Sequence, residues 1–153
     1  MIAFEKAVTS PIGVLMIESD GKSVTALRFG DHLRGFPSCP VLEQAAEELA
    51  EYFSGVRREF SVPLSPCGTL FQQSVWAELR AIPYGNTAAY ADIAARLGNP
   101  NACRAVGNAN NRNPLPIFIP CHRVVGKNGS LTGYAGGLTA KQFLLELEGT
   151  SME

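Results

Sequence analysis

The chain has 153 residues, 46% of them hydrophobic and 18% charged, with a formal net charge of −1. That size suits one compact unit or two small subdomains sharing a core, and the near-neutral balance argues against an indiscriminate nucleic-acid binder. No run of about 18 apolar residues reads as a membrane span, and the opening MIAFEKAVTS lacks the basic region and apolar core of a secretory signal.

The charge is unevenly placed. Residues 1–67 carry −3, residues 68–145 carry +5 and residues 146–153 carry −3. A basic middle segment is what contacts to a phosphate backbone would need, although asymmetry of this kind is common. Cys39, Cys67, Cys103 and Cys121 form no CxxC pair. Without a secretory signal they read as free thiols of a reducing compartment. His32 and Cys39 have no further ligand at metal spacing, so no metal site is expected.

In chain order, Ile2–Ala7, Val14–Glu18 and Val24–Phe29 are β-prone runs between turn residues, the pattern of an antiparallel meander. Asp31–Pro40 reads as a loop. Val41–Phe53 sets Leu42, Ala45, Ala46, Leu49 and Phe53 at helical spacing, and Gly55 ends the helix. Phe60–Leu64 reads as a short strand, and residues 61–68 as a linker into the second half.

Thr69-x-x-Gln72 has capping-box form and opens a helix with Phe71, Val75, Leu79 and Ile82 on one face. Pro83-Tyr84-Gly85-Asn86 breaks it. Thr87–Leu97 is expected as a second helix, with Tyr90, Ile93, Ala94 and Leu97 as its apolar stripe. Asn99-Pro100 is expected to cap a third, running to about Asn110. Helix, tight turn, helix fits a helix-turn-helix and an ordinary helical hairpin alike. The third helix is rich in small residues and carries one long cation, Arg104, which suits close approach to a minor groove. Thr139-x-x-Gln142 is expected to cap a last helix with Phe143, Leu144 and Leu147 apolar. The tail beyond Gly149 should fray.

Residues 114–137 are the most informative stretch. An apolar run, Ile117–Ile119, leads into Pro120, Cys121, His122 and Arg123, then Val124 and Val125. A small-residue loop with one aromatic follows, Gly133-Tyr134-Ala135-Gly136-Gly137. Alone, Cys121 fits a core position, because free cysteine packs as a small hydrophobe. With its flanks it also fits a thiol on the floor of a pocket walled by the later loop.

The string Ile119-Pro120-Cys121-His122-Arg123-Val124 resembles the active-site signature of the O6-alkylguanine-DNA alkyltransferases. Arg104-Ala105-Val106-Gly107, Asn113-Pro114, Gly133–Leu138 and Leu144–Gly149 extend the likeness over about residues 69–149. The resemblance implies an α+β protein of two parts. Residues 1–67 would be a small ribonuclease-H-like domain of antiparallel sheet plus helix, ending in the linker. Residues 68–153 would be a mostly helical, winged-helix-like domain with a helix-turn-helix.

It also implies direct, one-shot reversal of DNA damage. An alkyl group would pass from O6-alkylguanine, or from O4-alkylthymine, to Cys121 after the base is flipped from the duplex. Cys121, His122 and Glu148 align with the family's thiol–imidazole–carboxylate relay, and Tyr90 with a tyrosine that donates a proton towards guanine N3. Asn113, Val124, Tyr134, Ala135 and Gly136 align with substrate contacts. Arg104 aligns with the intercalating arginine, and Tyr90, Asn99, Ala102, Gly107 and Lys127 fall where DNA would lie.

An unperturbed thiol is only slightly ionised at neutral pH, so the reaction needs a proton acceptor. In an extended chain His122 would point away from Cys121, so a bridging water would have to link them. No phosphate loop or dinucleotide fingerprint is present, and no cofactor is implied. The expected partner is double-stranded DNA containing O6-alkylguanine, met by a monomer in bacterial or archaeal cytoplasm. Two other readings remain open. One is a lesion-sensing relative, a type that lacks the cysteine; the other is a thiol–imidazole hydrolase, which leaves Arg104 unexplained.

Overall fold

The computed structural model describes residues 3–149 and divides into two compact units that meet in sequence at Cys67 and Gly68. The first unit is a meander of β1 (Phe4–Ser10), β2 (Gly13–Ser19) and β3 (Val24–Phe29), with α1 (Pro40–Phe53) packed on it. Gly13, at φ 106°, supplies the left-handed residue of the tight β1–β2 turn. β1 runs further than its apolar residues suggest, because its register with β2 continues unbroken from Phe4↔Ser19 to Ser10↔Gly13. The expected strand residue Ile2 and the expected fraying of 150–153 lie outside the described residues.

Leu15, Ile17, Val24, Leu42, Ala45, Leu49 and Tyr52 are fully buried and form this unit's core. Burying each such Leu or Ile contributes about 1.5–3 kcal/mol. The other face of β2 is covered too. Glu5 and Glu18 are buried there by the loop at 31–38, and Glu5 Oε2 accepts the backbone N–H groups of Arg34 and Phe36 at 2.6 and 2.9 Å. Glu18 takes Arg28 and Arg34 at 3.2 and 3.1 Å. The strand expected at Phe60–Leu64 is reduced to a single bridge between Leu64 and Val24.

The second unit contains α2 (Leu70–Arg80), β4 (Ala88–Ala89), α3 (Tyr90–Arg96), α4 (Cys103–Asn111), β5 (Val124–Val125) and α5 (Leu138–Leu147). The Thr69/Gln72 capping box is formed, with both reciprocal hydrogen bonds in place. α2 packs on α4, and buried Trp76 fixes the pair by donating Nε1–H to the Ala109 carbonyl at 2.8 Å.

Three helix starts differ from expectation. Residues 88–89 are strand, because they pair in parallel with Val124–Val125, so α3 begins at Tyr90. Asn99 and Pro100 form a turn rather than a cap. Asn99's carbonyl accepts the Ala102 N–H at 3.0 Å, and α4 starts at Cys103 with Ala102 as its N-cap. α5 starts at Leu138 after Gly137, whose φ of 92° turns the chain, so Thr139 lies inside the first turn and caps nothing. No described helix is long and apolar enough to cross a membrane.

Candidate active site

The cysteine is presented by a loop under constraint. Asn113 is buried and clamps it twice: its side-chain N–H donates to the Ile119 carbonyl at 2.8 Å, and its Oδ1 accepts the Leu115 N–H at 2.9 Å. Between these anchors Ile117 adopts φ 76°. A buried β-branched residue in that region is a true outlier, sustained only where its surroundings over-determine it. The loop then tightens into a 3-10 turn at Cys121–Arg123. This corrects the expectation of an extended chain there, so strand alternation does not govern where Cys121 and His122 point.

Straight after the turn, β5 pairs Val124 with Ala88 and Val125 with Ala89. Ala89 is followed at once by Tyr90. The two-residue ladder therefore carries the cysteine turn and the start of α3 side by side, which neither segment's local sequence reveals.

His122 and Glu148 meet with both side chains fully buried, Nε2 to Oε2 at 2.7 Å. Glu148 is thus no surface carboxylate. Arg123 joins it through Nε at 2.8 Å and Nη2 at 3.0 Å, and Arg123 Nη1 donates to the Ile82 carbonyl at 2.7 Å. Burial pushes the Glu148 carboxyl up, but hydrogen bonds from His122 and Arg123 outweigh that and hold it at about 2. Burial lowers His122 despite the carboxylate, keeping the ring neutral. With Nε2 donating to Glu148, Nδ1 is the basic nitrogen, and it has no hydrogen-bond partner among the described residues. It is free to take a proton.

Burial pushes the Cys121 thiol up to about 11, opposed by a hydrogen bond from Asn113 and by the charge of Lys141. Cys121 borders a narrow recess of about 10 Å³, room for a single water, that Asn110, Asn113, Pro116, Tyr134 and Ala135 help to line. Gly136 is half-buried at the end of that loop. The backbone carbonyls of Cys121 and Val124 each accept a hydrogen bond within the fold. That of Cys121 accepts the Val124 N–H, and that of Val124 accepts Lys141 Nζ at 2.7 Å.

On the helical side, Arg104, Asn99 and Lys127 are exposed, and Ala102 is half-buried. Gly107 faces Tyr90: a Cβ there would lie 3.8 Å from the ring, in ordinary contact with it. Tyr90 Oη lies 2.5 Å from Thr132 Oγ1. Arg123, Thr132 and Lys141 are site residues to which no motif of the sequence points by itself. Lys141 carried a readable signal, since it precedes Leu144 and Glu148 by three and seven residues and so shares their buried face. Thr132 carried none.

A buried thiol and a neutral imidazole share one turn, the pairing that cysteine-nucleophile proteins use. The comparisons with known proteins narrow that class. Residues 70–150 match the family model for the 6-O-methylguanine DNA methyltransferase DNA binding domain, and residues 4–66 that for its ribonuclease-like domain. A methylated-DNA–protein-cysteine methyltransferase of Methanosarcina acetivorans is 46% identical over 151 residues, covering 92% of this chain and 95% of the relative. The constitutive one of Bacillus subtilis is 61% identical over 110 residues, 71% of this chain and 67% of the relative. The crystal structure of the Mycobacterium tuberculosis O6-methylguanine methyltransferase superimposes with a TM-score of 0.88 at 44% identity, covering 97% of this chain and 93% of that one. A protein of the same organism solved in complex with DNA gives 0.88 at 44% identity, over 95% and 92%.

This chain belongs to the methylated-DNA–protein-cysteine methyltransferase family.

Proposed function

We propose that this protein repairs DNA by direct reversal, moving the alkyl group of O6-alkylguanine to Sγ of Cys121 once and irreversibly. The observation that carries this reading is the buried His122–Glu148 pair, whose open Nδ1 sits in the same turn as a thiol at the floor of a cleft. Residues 68–153 would then hold both the DNA surface and the acceptor, and double-stranded DNA would be the only partner a monomer needs. Cytoplasm is the compartment that four free thiols suit best.

The step balances simply. Sγ attacks the alkyl carbon, the carbon–O6 bond breaks, and its electron pair leaves with guanine. The thiol proton passes through a water to His122 Nδ1, and Glu148 stabilises the imidazolium, as carboxylates do in triads. Tyr90 donates a proton to a ring nitrogen of the departing base, which is general-acid help. Thioethers resist hydrolysis, so the protein acts as a stoichiometric acceptor.

The base must leave the stack to reach the sulfur. Exposed Arg104 would fill the gap, while Asn99, Ala102, Gly107 and Lys127 lie against the backbone. Asn113 would hold the cysteine loop, and Val124, Tyr134, Ala135 and Gly136 would bound the base.

Intact mass tests the reading. Wild-type protein mixed with a duplex carrying one O6-methylguanine should gain a single methyl, mapped to Cys121 and absent from Cys121→Ser. DNA binding without mass gain would favour a lesion sensor instead.

A further inference from the structure

Among the described residues Lys141 is the most deeply buried cation, with none of its surface exposed. Its ammonium has three protons and three acceptors: the Val124 carbonyl at 2.7 Å, and the carbonyl and hydroxyl oxygens of Thr132, each at 3.3 Å. The Thr132 oxygen is in turn 2.5 Å from Tyr90 Oη. The start of α3, the loop before the cleft and α5 thus meet at one threonine, and the transfer to Sγ by itself needs neither Thr132 nor Lys141.

The polarity of this chain of contacts follows from its chemistry. Lysine's ammonium has donors only, so Thr132 Oγ1 accepts from it. Thr132 then satisfies its own proton best by donating to Tyr90 Oη, which leaves the phenolic proton pointing onward. Thr132 immediately precedes Gly133-Tyr134-Ala135, the segment that walls the cleft above Cys121.

We propose that Lys141 and Thr132 form a proton relay that acts through Tyr90, supplying the proton that the departing guanine takes. The proposal rests on the alkyl-transfer reading above. As the carbon–O6 bond breaks, Tyr90 protonates the base, Thr132 protonates Tyr90, and Lys141 protonates Thr132. The thiol proton meanwhile goes to His122. One positive charge therefore moves from Lys141 to His122, and the site's net charge is unchanged.

Burial lowers the Lys141 ammonium to about 8, opposed by the Cys121 charge, so it gives up a proton readily. Cys121, His122 and Arg123 are the titratable and charged groups of the turn packed against α5, and Tyr90 faces the ammonium through Thr132. Thr132 and Lys141 are positioning residues in this scheme.

The test compares two methyl donors. O6-methylguanine in a duplex has a leaving group that needs a proton. Iodomethane at high concentration is the second donor, its transfer read on the Cys121 peptide alone, and iodide needs no proton to leave. Their rate ratio cancels differences in thiolate formation. Thr132→Val, which keeps the shape and removes the hydroxyl, should lower that ratio by on the order of 100-fold, the lower end of general-acid effects. Thr132→Ser should restore it. In wild type and Thr132→Ser the ratio should fall as pH rises past about 8, and in Thr132→Val it should be flat there. An unchanged ratio in Thr132→Val, or both rates falling together, would overturn the relay while leaving the repair reading intact. No transfer from O6-methylguanine by wild type would overturn the repair reading, and the relay with it.

Discussion

His122 Nε2 lies 2.7 Å from Glu148 Oε2 with both side chains fully buried, and the same carboxylate holds Arg123 Nε at 2.8 Å. One acid at the end of α5 thus sets the tautomer of the proposed base and neutralises a buried guanidinium. Removing its charge while keeping its size should be costly twice over. Glu148→Gln leaves Arg123 uncompensated, and breaking a buried pair from one side costs about 3–5 kcal/mol. Urea denaturation near neutral pH should show a loss of that order, together with slower transfer to Cys121. A variant as stable as wild type would mean that Arg123 finds its compensation elsewhere.

The same pair predicts how the fold responds to acid. Glu148 is held at about 2 against an ordinary 4.5. Its contribution is complete above about 4.5, where the unfolded chain is also ionised, and is lost as pH falls towards 2. Over that interval it amounts to roughly 3 kcal/mol. His122 is lowered from 6.5 by burial. The unfolded chain therefore takes up a proton that the folded one refuses, and stability declines as pH falls below about 6.5. Thermal denaturation should show the fall beginning in that upper window, with His122→Gln losing less there than wild type. An equal fall in both would assign it to other groups.

Cys121, pushed up to about 11 by burial, should be a sluggish thiol until substrate arrives. At neutral pH about one molecule in ten thousand would carry the thiolate. Iodoacetamide should therefore label exposed Cys67 well before Cys121, and labelling of Cys121 should climb about tenfold per pH unit through the alkaline range. Lys141→Met, which removes the opposing charge, should suppress it further. Peptide mapping by mass would settle the order, and preferential labelling of Cys121 at neutral pH would mean that the resting site already ionises it.

What the sequence made legible was what local chemistry dictates. The Thr69/Gln72 box, the amphipathic α1 and the β2 and β3 runs are each specified by residues within one element, and they formed where expected. Misplaced boundaries arose where a distant partner decided. Ala88 and Ala89 are good helix formers, but they pair with Val124 and Val125 instead. Asn99-Pro100 resembles a cap, yet the chain turns once more before α4. In the site, Cys121, His122 and Glu148 were recognisable as a set through the resemblance, and their geometry brings at least His122 and Glu148 together. Thr132 was not recognisable, because a loop threonine acquires meaning only once Tyr90 and Lys141 are seen to converge on it.

Arg104 offers the sharpest separation of DNA handling from chemistry. It lies exposed in the first turn of α4, with Ala105 and Asn108 also exposed on that helix. Nothing in its position supports the sulfur or the buried pair. If its planar guanidinium fills the space a flipped base leaves, Arg104→Ala should slow transfer from an O6-methylguanine duplex strongly. The unstacking cost, a few kcal/mol, would then be uncompensated. Reaction with free O6-benzylguanine, which needs no flipping, should keep nearly its wild-type rate, and the fold should keep its stability, as surface substitutions usually do. Single-turnover rates on the two substrates, read side by side, decide the matter. Equal losses on both would place Arg104 in support of the acceptor site, and no loss on the duplex would hand the wedge to another residue of the α3–α4 face.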